Sequence, residues 1–151
     1  MLSRRNVIII GIGVAVVLVV VVATMWWGHA TAMKREAVAF AEAHLARISE
    51  TWEADDLWAD TTTDFKSRLT QEGLEQSAAA CRKELGRFES LEVVGWQTQS
   101  MVSTGSGRET IVVLNAYGNF EKASRRQIQY RLVKRGGSWL IDNLRIQTED
   151  G

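Results

Sequence analysis

The run from Val7 to Trp27, VIIIGIGVAVVLVVVVATMWW, contains no charged residue and no proline. A helix rises about 1.5 Å per residue, so this run is roughly 30 Å long, which matches the hydrocarbon core of a bilayer. We therefore predict a transmembrane helix over residues 7–27. A short tail at 1–6 precedes it, and a juxtamembrane connector at 28–33 follows it.

Two alternatives to an uncleaved anchor fit parts of the same run. Gly11 and Gly13 resemble the start of a dinucleotide-binding turn, but Val16 stands where its third glycine is required. A cleaved signal peptide would use Ala30-Thr31-Ala32 as its cleavage site, yet the apolar run exceeds the roughly 7–15 residues of such peptides. An uncleaved anchor fits the whole run better than either alternative.

The charges that flank the span predict its orientation. Two arginines directly precede it, whereas the first basic residues after it lie further away and beside a glutamate. A short basic tail that touches a span usually stays in the cytoplasm, so we place the tail inside and the following domain outside. Basic and aromatic residues are typical of the membrane interfaces. We expect four residues there: Arg4, Arg5, Trp26 and Trp27.

The order of periodicities after the span predicts an α+β domain. Apolar residues first recur at steps of three and four, which indicates a helix over about 31–54. Thr70 is placed to cap a further helix from Gln71 to a stop at Gly86. From residue 91 the period changes to two, which predicts four antiparallel strands at 91–102, 109–120, 124–135 and 138–146. The predicted face of the first helix comprises Val38, Ala41, Leu45, Ile48 and Trp52.

Composition excludes several classes of function. The chain carries 18 basic and 18 acidic residues, so nothing predicts binding to a nucleic acid. One cysteine and two histidines are too few for a Cys/His zinc site, and we expect no metal and no cofactor. Cys81 lies on a helix face, where it is expected to be a small buried apolar residue.

Three motifs resemble the nuclear transport factor 2-like superfamily, which is also called cystatin-like. They are Phe65-Lys66-x-x-Leu69-Thr70-x-Glu72-x-Leu74, then Leu85-Gly86-x-Phe88, and a closing hairpin over 136–144. The resemblance covers residues 34–148 and leaves a tail at 149–151. It implies a cone of about three helices packed on a curved four-stranded antiparallel sheet.

A membrane anchor followed by such a domain resembles two kinds of bacterial protein. One is the inner-membrane subunit of type IV secretion channels, and the other is a group of membrane proteins associated with actinobacterial lipid importers. The resemblance implies a single-pass protein of the bacterial inner membrane, with its C-terminal domain in the periplasm. We expect a non-enzymatic accessory or assembly subunit whose partners are the lipid bilayer and other subunits or a second copy.

Two surfaces are candidates for partner contacts. Gly11 and Ala15 lie four residues apart in the span, so they share a face on which another helix can approach closely. In the second predicted strand, the apolar run that begins at Ile111 puts apolar side chains on both faces, and only one face can meet the helices. Val113 and Tyr117 lie on the other face, which a dimer or a larger assembly would cover.

The alternative function is a cone that binds a small ligand or acts as an enzyme at the membrane surface. Enzymes of the superfamily that the chain resembles use Asp, His or Tyr side chains inside the cone. The candidates here are His44, Tyr117, Tyr130 and Asp142. Their spacing forms no catalytic motif, so we assign no catalytic residue.

Overall fold

The computed structural model describes residues 4–103, 105 and 107–148, with side chains for 13–102, 105 and 107–148. The chain divides into two compact units, Met1–Met33 and Lys34–Gly151. The helices are α1 (Arg4–Ile48), α2 (Ala54–Trp58), α3 (Thr63–Arg68) and α4 (Gln71–Glu84). The strands are β1 (Phe88–Ser103), β2 (Gly107–Phe120), β3 (Arg126–Arg135) and β4 (Ser138–Ile146). The predicted α+β class with an antiparallel sheet is confirmed.

The first unit consists of the apolar part of α1. Among the described residues, one helix is long and apolar enough to cross a membrane, and it is this one. Its large apolar side chains between Val14 and Trp27 are exposed. The hydroxyl of Thr24 lies 2.9 Å from the carbonyl oxygen of Val20, so this polar group is satisfied within its own helix. The segment therefore has an apolar surface, and its Thr24 hydroxyl is hydrogen-bonded within the helix, as the hydrocarbon core of a bilayer requires.

Helix α1 ends at Ile48, earlier than the predicted end near residue 54. The chain then reverses, and Trp52 adopts a left-handed backbone conformation with φ 50°. This conformation brings the Trp52 side chain into the core, where it is 1% exposed and its indole N–H donates to the carbonyl oxygen of Gly86 at 2.7 Å. Arg82 donates to the carbonyl oxygens of Thr51 and Trp52. The buried Trp52 and the bonds from Arg82 thus hold the reversal that follows α1 in place.

The boundaries of α4 follow from local chemistry. The hydroxyl of Thr70 accepts a hydrogen bond from the backbone N–H of Gly73 at 3.0 Å, which is the predicted N-cap. Gly86 follows the helix with φ 71°, a conformation that glycine adopts without a steric penalty. Both predicted signals are confirmed.

The four strands form one antiparallel meander in the order β1-β2-β3-β4. Gly136 and Gly137 make the β3–β4 turn with φ 54° and 80°. The outer edge of β4 is covered, because the backbone N–H of Ile141 donates to Asp60 and its carbonyl oxygen accepts from Thr62. β4 is thereby attached to the segment between α2 and α3.

The core lies between the C-terminal part of α1 and the inner face of the sheet. The alanines at 37 and 41 let the helix approach the sheet closely, while Leu45 and Ile48 fill the space further along. Trp139 packs on the core from its margin and is partly buried, so the fully buried tryptophan is Trp52. The strand residues with the least exposure are Val112, Leu114, Ile128, Tyr130, Leu132 and Ile141.

Candidate functional site

A cavity of about 540 Å³ lies between the helices and the last strand. Ligand pockets typically measure roughly 300–1,000 Å³. Gln76 and Ser77 are exposed lining residues, so the cavity opens beside α4. Its apolar lining comprises Trp52, Leu57, Phe65, Leu69, Leu74, Ala80, Ile141, Leu144 and Ile146, and its other lining residues are His44, Gln76, Ser77, Cys81, Arg145 and Thr148.

His44 is the polar lining residue that is most deeply buried, at 3% exposure. It lies on the face of α1 that packs against the sheet, one residue before Leu45. Its Nδ1 is 2.8 Å from the hydroxyl of Tyr130, which lies behind it on β3. The ring of Phe40 stacks on the other side of the imidazole, with centroids 6.1 Å apart. These contacts fix the orientation of the His44 ring.

The second ring nitrogen of His44, Nε2, is buried and has no hydrogen-bond partner. A buried polar atom left without a partner costs roughly 1–3 kcal/mol, and native proteins contain few of them. His44 is one of the lining residues of the cavity, and Tyr130 occupies Nδ1, so Nε2 is the ring nitrogen left without a partner.

Burial keeps His44 neutral. It lowers the pKa of the imidazole to about 4, with a smaller contribution from Arg47, while Asp60 acts in the opposite direction. Burial likewise raises the pKa of the Tyr130 hydroxyl well above its ordinary value. The pair is therefore uncharged at neutral pH. Each nitrogen of a neutral imidazole is either donor or acceptor, so the direction of the Tyr130 hydrogen bond determines which role Nε2 has.

Cys81 lines the same cavity, but its thiol is not activated. Burial raises its pKa to about 11, and Glu84 adds to this shift. A protonated thiol is a poor nucleophile and a poor metal ligand. Cys81 is partly buried on α4, and its side chain packs against the core as a small apolar group.

The structure brings together two of the four pocket candidates, His44 and Tyr130. Asp142 has another role, because its carboxylate lies 3.0 Å from Nε of Arg131 and accepts from the hydroxyl of Thr62 at 2.8 Å. Tyr117 lies on the sheet face opposite the helices, where the guanidinium of Arg125 stacks on its ring at 4.5 Å. Neither residue is among the described lining of the cavity.

The partner-contact and membrane-interface candidates stay predictions. Val113 and Tyr117 are partly exposed on one face of β2. Val113 lies beside Gln97 and Arg131 of the neighbouring strands, and Tyr117 beside Glu92 and Gln127. Trp26 and Trp27 are exposed on α1, as is Ala15. Gly11, Arg4 and Arg5 belong to α1, but their surroundings lie outside the described residues.

Within the described part of the chain, no group of three or more His, Cys, Asp or Glu residues could hold a metal ion. In the acidic stretch after α1, Asp60 pairs with Arg47 at 2.9 Å, and Asp56 accepts from Thr51.

Sequence reasoning missed the apolar wall of the cavity. Phe65, Leu69, Leu144 and Ile146 have the same apolar character and spacing as core residues, so no local signal separates them from the core. They line a cavity because of the way the helices pack beside β4, which depends on tertiary structure. No family model, curated protein or solved structure matches this chain.

Proposed function

We propose that this chain is a single-pass membrane protein whose C-terminal domain binds a small, largely apolar molecule. The observation that carries this proposal is the mostly apolar cavity of about 540 Å³, whose lining includes the buried His44 side chain with its unpartnered Nε2. An apolar pocket that contains one well-positioned polar group is the usual form of a small-molecule site.

The lining indicates the chemistry of the ligand. Most of the wall is aliphatic or aromatic, so burial of an apolar body would supply most of the affinity. His44 is uncharged, the described lining contains no acidic residue, and its one charged residue, Arg145, is exposed to solvent. An apolar ligand with one uncharged hydrogen-bonding group, such as a hydroxyl, fits this lining, because a hydroxyl can either donate or accept a hydrogen bond.

Binding without chemical transformation fits the same residues. The Cys81 thiol is protonated, and Nδ1 of His44 already contacts Tyr130. Among the described lining residues, no carboxylate orients the imidazole as in a catalytic triad. The proposal therefore includes no reaction.

The proposal places the protein in the bacterial inner membrane, with the ligand-binding domain on the periplasmic side. This placement rests on the apolar span and on the arginines that precede it. We also propose that the domain has the cone architecture of the nuclear transport factor 2-like superfamily. The position of the cavity, between the helices and the last strand, supports this.

The test uses two neighbouring alanines on α4. Ala80 lines the cavity, whereas Ala79 is exposed, so Ala80→Trp fills the cavity and Ala79→Trp is its matched control. The full chain in phosphatidylcholine vesicles is irradiated with a long-chain alcohol that carries a diazirine, and the labelled peptides are mapped by mass spectrometry. Labelling of α4 and β4 should persist in wild type and Ala79→Trp and disappear in Ala80→Trp.

Labelling of the span alone would contradict the proposal, because it would show that the probe reaches the bilayer and not the cavity. Equal labelling of α4 and β4 in both variants would also contradict it. Circular dichroism of each variant confirms that the helical and strand content is retained before labelling is compared.

A second candidate function is an accessory subunit of a larger membrane complex. It is favoured by three exposed apolar side chains on β1, those of Val94, Met101 and Val102, which are available for contact with another protein. The variants Gly11→Leu and Val113→Asp should then release the chain from its partners, while Val14→Leu in the span should not. Unchanged co-purification for the first two variants would contradict this function.

A further inference from the structure

The sheet has two edges, and they differ in how they are protected. Proteins normally protect an edge strand with charges, bulges, proline or a covering segment, because an unprotected edge can pair with another strand. β4 is covered by the segment between α2 and α3 through two backbone hydrogen bonds at Ile141. It also carries the charged residues Asp142 and Arg145.

The first half of β1 is protected as well. Its pairing with β2 is irregular between Phe88 and Ser90 and again between Val93 and Gly95. Glu89 and Glu92 add charge to the same half. Bulges and charges of this kind prevent regular pairing with a further strand.

The second half of β1, from Trp96 to Val102, lacks all of these devices. It pairs with β2 without a register shift, and it contains no charge and no proline. Among the described residues, no backbone group of another element pairs with its outer edge. Met101 and Val102 are 44% and 85% exposed. We call this segment the open edge.

We propose that the open edge pairs with the same segment of a second copy of this chain, antiparallel and about a two-fold axis through Gln99. In this register Gln99 faces Gln99, Thr98 faces Ser100, and Trp96 faces Val102. Aromatic with β-branched pairs and Thr with Ser pairs are among the favourable cross-strand combinations. The remaining pair, Gln97 with Met101, is also uncharged.

A second copy fits this edge because the segment is complementary to itself. Symmetric pairing places every residue of one copy against a residue of the same segment, so a charged edge would repel itself, and this one contains no charge. Side chains alternate between the two faces of a strand, and the two positions of each pair about Gln99 differ by an even number. Residues on the helix-facing side of one copy therefore pair with residues on the same side of the other. The exposed Val102 of one copy would then be covered by the partly exposed Trp96 of the other. This dimer goes beyond ligand binding and does not depend on it.

Single cysteines test this register in the full chain. With Cys81→Ser as background, Gln99→Cys is compared with Gln97→Cys after mild oxidation in phosphatidylcholine vesicles. The two thiols at 99 would face each other at about 5 Å between Cα atoms, which a disulfide can span. The two thiols at 97 would be offset by four residues along the paired strands. This offset corresponds to about 13 Å, which a disulfide cannot span. We expect a yield of dimer at 99 that is about tenfold above that at 97.

Other outcomes overturn the proposal. Equal yields at the two positions would mean random collisions, and a higher yield at 97 would mean another register. A dimer held by the span alone would survive Gln99→Lys, whereas the open-edge dimer should dissociate because two like charges then face each other. Gln127→Lys, on the inner strand β3, is the control for added charge. Analytical ultracentrifugation in detergent measures the dissociation, and a monomer in the wild type would exclude the pairing.

Discussion

Lowering the pH should destabilise the domain through His44, and the His44→Gln variant should remove this effect. The imidazole is buried beside Tyr130, and burial lowers its pKa to about 4 from an unfolded value of 6.5. Glutamine can still hydrogen-bond to the Tyr130 hydroxyl but does not titrate. The difference between wild type and variant therefore isolates the contribution of His44.

The sign and size of the effect follow from proton linkage. Because the folded pKa is lower, the unfolded chain binds more protons between pH 6.5 and 4, and stability falls as the pH falls through this window. Full stability is present above pH 6.5. Between pH 7.5 and 5 the two pKa values correspond to a loss of about 2 kcal/mol, at roughly 1.4 kcal/mol per pKa unit.

Urea unfolding of the full chain in detergent, followed by tryptophan fluorescence, measures this loss. Carboxylates titrate in both proteins, so their contribution cancels when the free energies of unfolding are subtracted at each pH. We expect the wild type to lose about 2 kcal/mol more than His44→Gln between pH 7.5 and 5. Parallel pH profiles for the two proteins would refute the reasoning, because they would mean that His44 titrates normally in the folded state.

Three further predictions concern the core, the thiol and the topology. Trp52→Ala should cost roughly 3–5 kcal/mol in urea unfolding, since it removes a side chain that is 1% exposed together with its hydrogen bond to Gly86; a cost below 1 kcal/mol would contradict this packing. Cys81 should react slowly with maleimide at pH 7 and rapidly after unfolding, because its pKa is raised to about 11; equal rates would mean an accessible thiol with an ordinary pKa. Protease added to spheroplasts should degrade the C-terminal domain, and protection of the domain would reverse the orientation predicted from Arg4 and Arg5.

Local patterns are sufficient to predict α4 and the four strands of this domain. The period of two predicted all four strands, and the strand at Ser138–Ile146 agrees at both ends because the glycine turn before it is an unambiguous signal. Thr70 and Gly86 predicted the ends of α4, since a cap and a left-handed glycine act within a few residues. The apolar spacing places the end of α1 too late, because Trp52 continues the helical pattern although the chain has already reversed.

The candidate site depends on contacts that no local pattern contains. His44 and Tyr130 are 86 positions apart, and their contact requires the packing of α1 on β3. Both were candidates on chemical grounds, but so were Asp142 and Tyr117, which bind arginines elsewhere. Residue type indicates what a side chain can do, whereas the strand register and the irregularity at Arg131 decide where it lies.

The polar pair in the cavity can be separated experimentally into a structural and a ligand-binding contribution. Tyr130→Phe alone leaves Nδ1 of His44 without its partner, so we expect a cost of roughly 1–3 kcal/mol. The double variant His44→Phe/Tyr130→Phe removes both partners and the unpartnered Nε2, and replacement by apolar groups of similar shape is nearly neutral or stabilising. If Nε2 holds a ligand, the double variant should match or exceed the stability of the wild type and yet lose labelling of α4 and β4 by the diazirine alcohol. A stable double variant that still takes up the probe would show that the imidazole is not needed for binding. A double variant less stable than Tyr130→Phe alone would mean that the His44–Tyr130 hydrogen bond is not the interaction that holds this part of the core together.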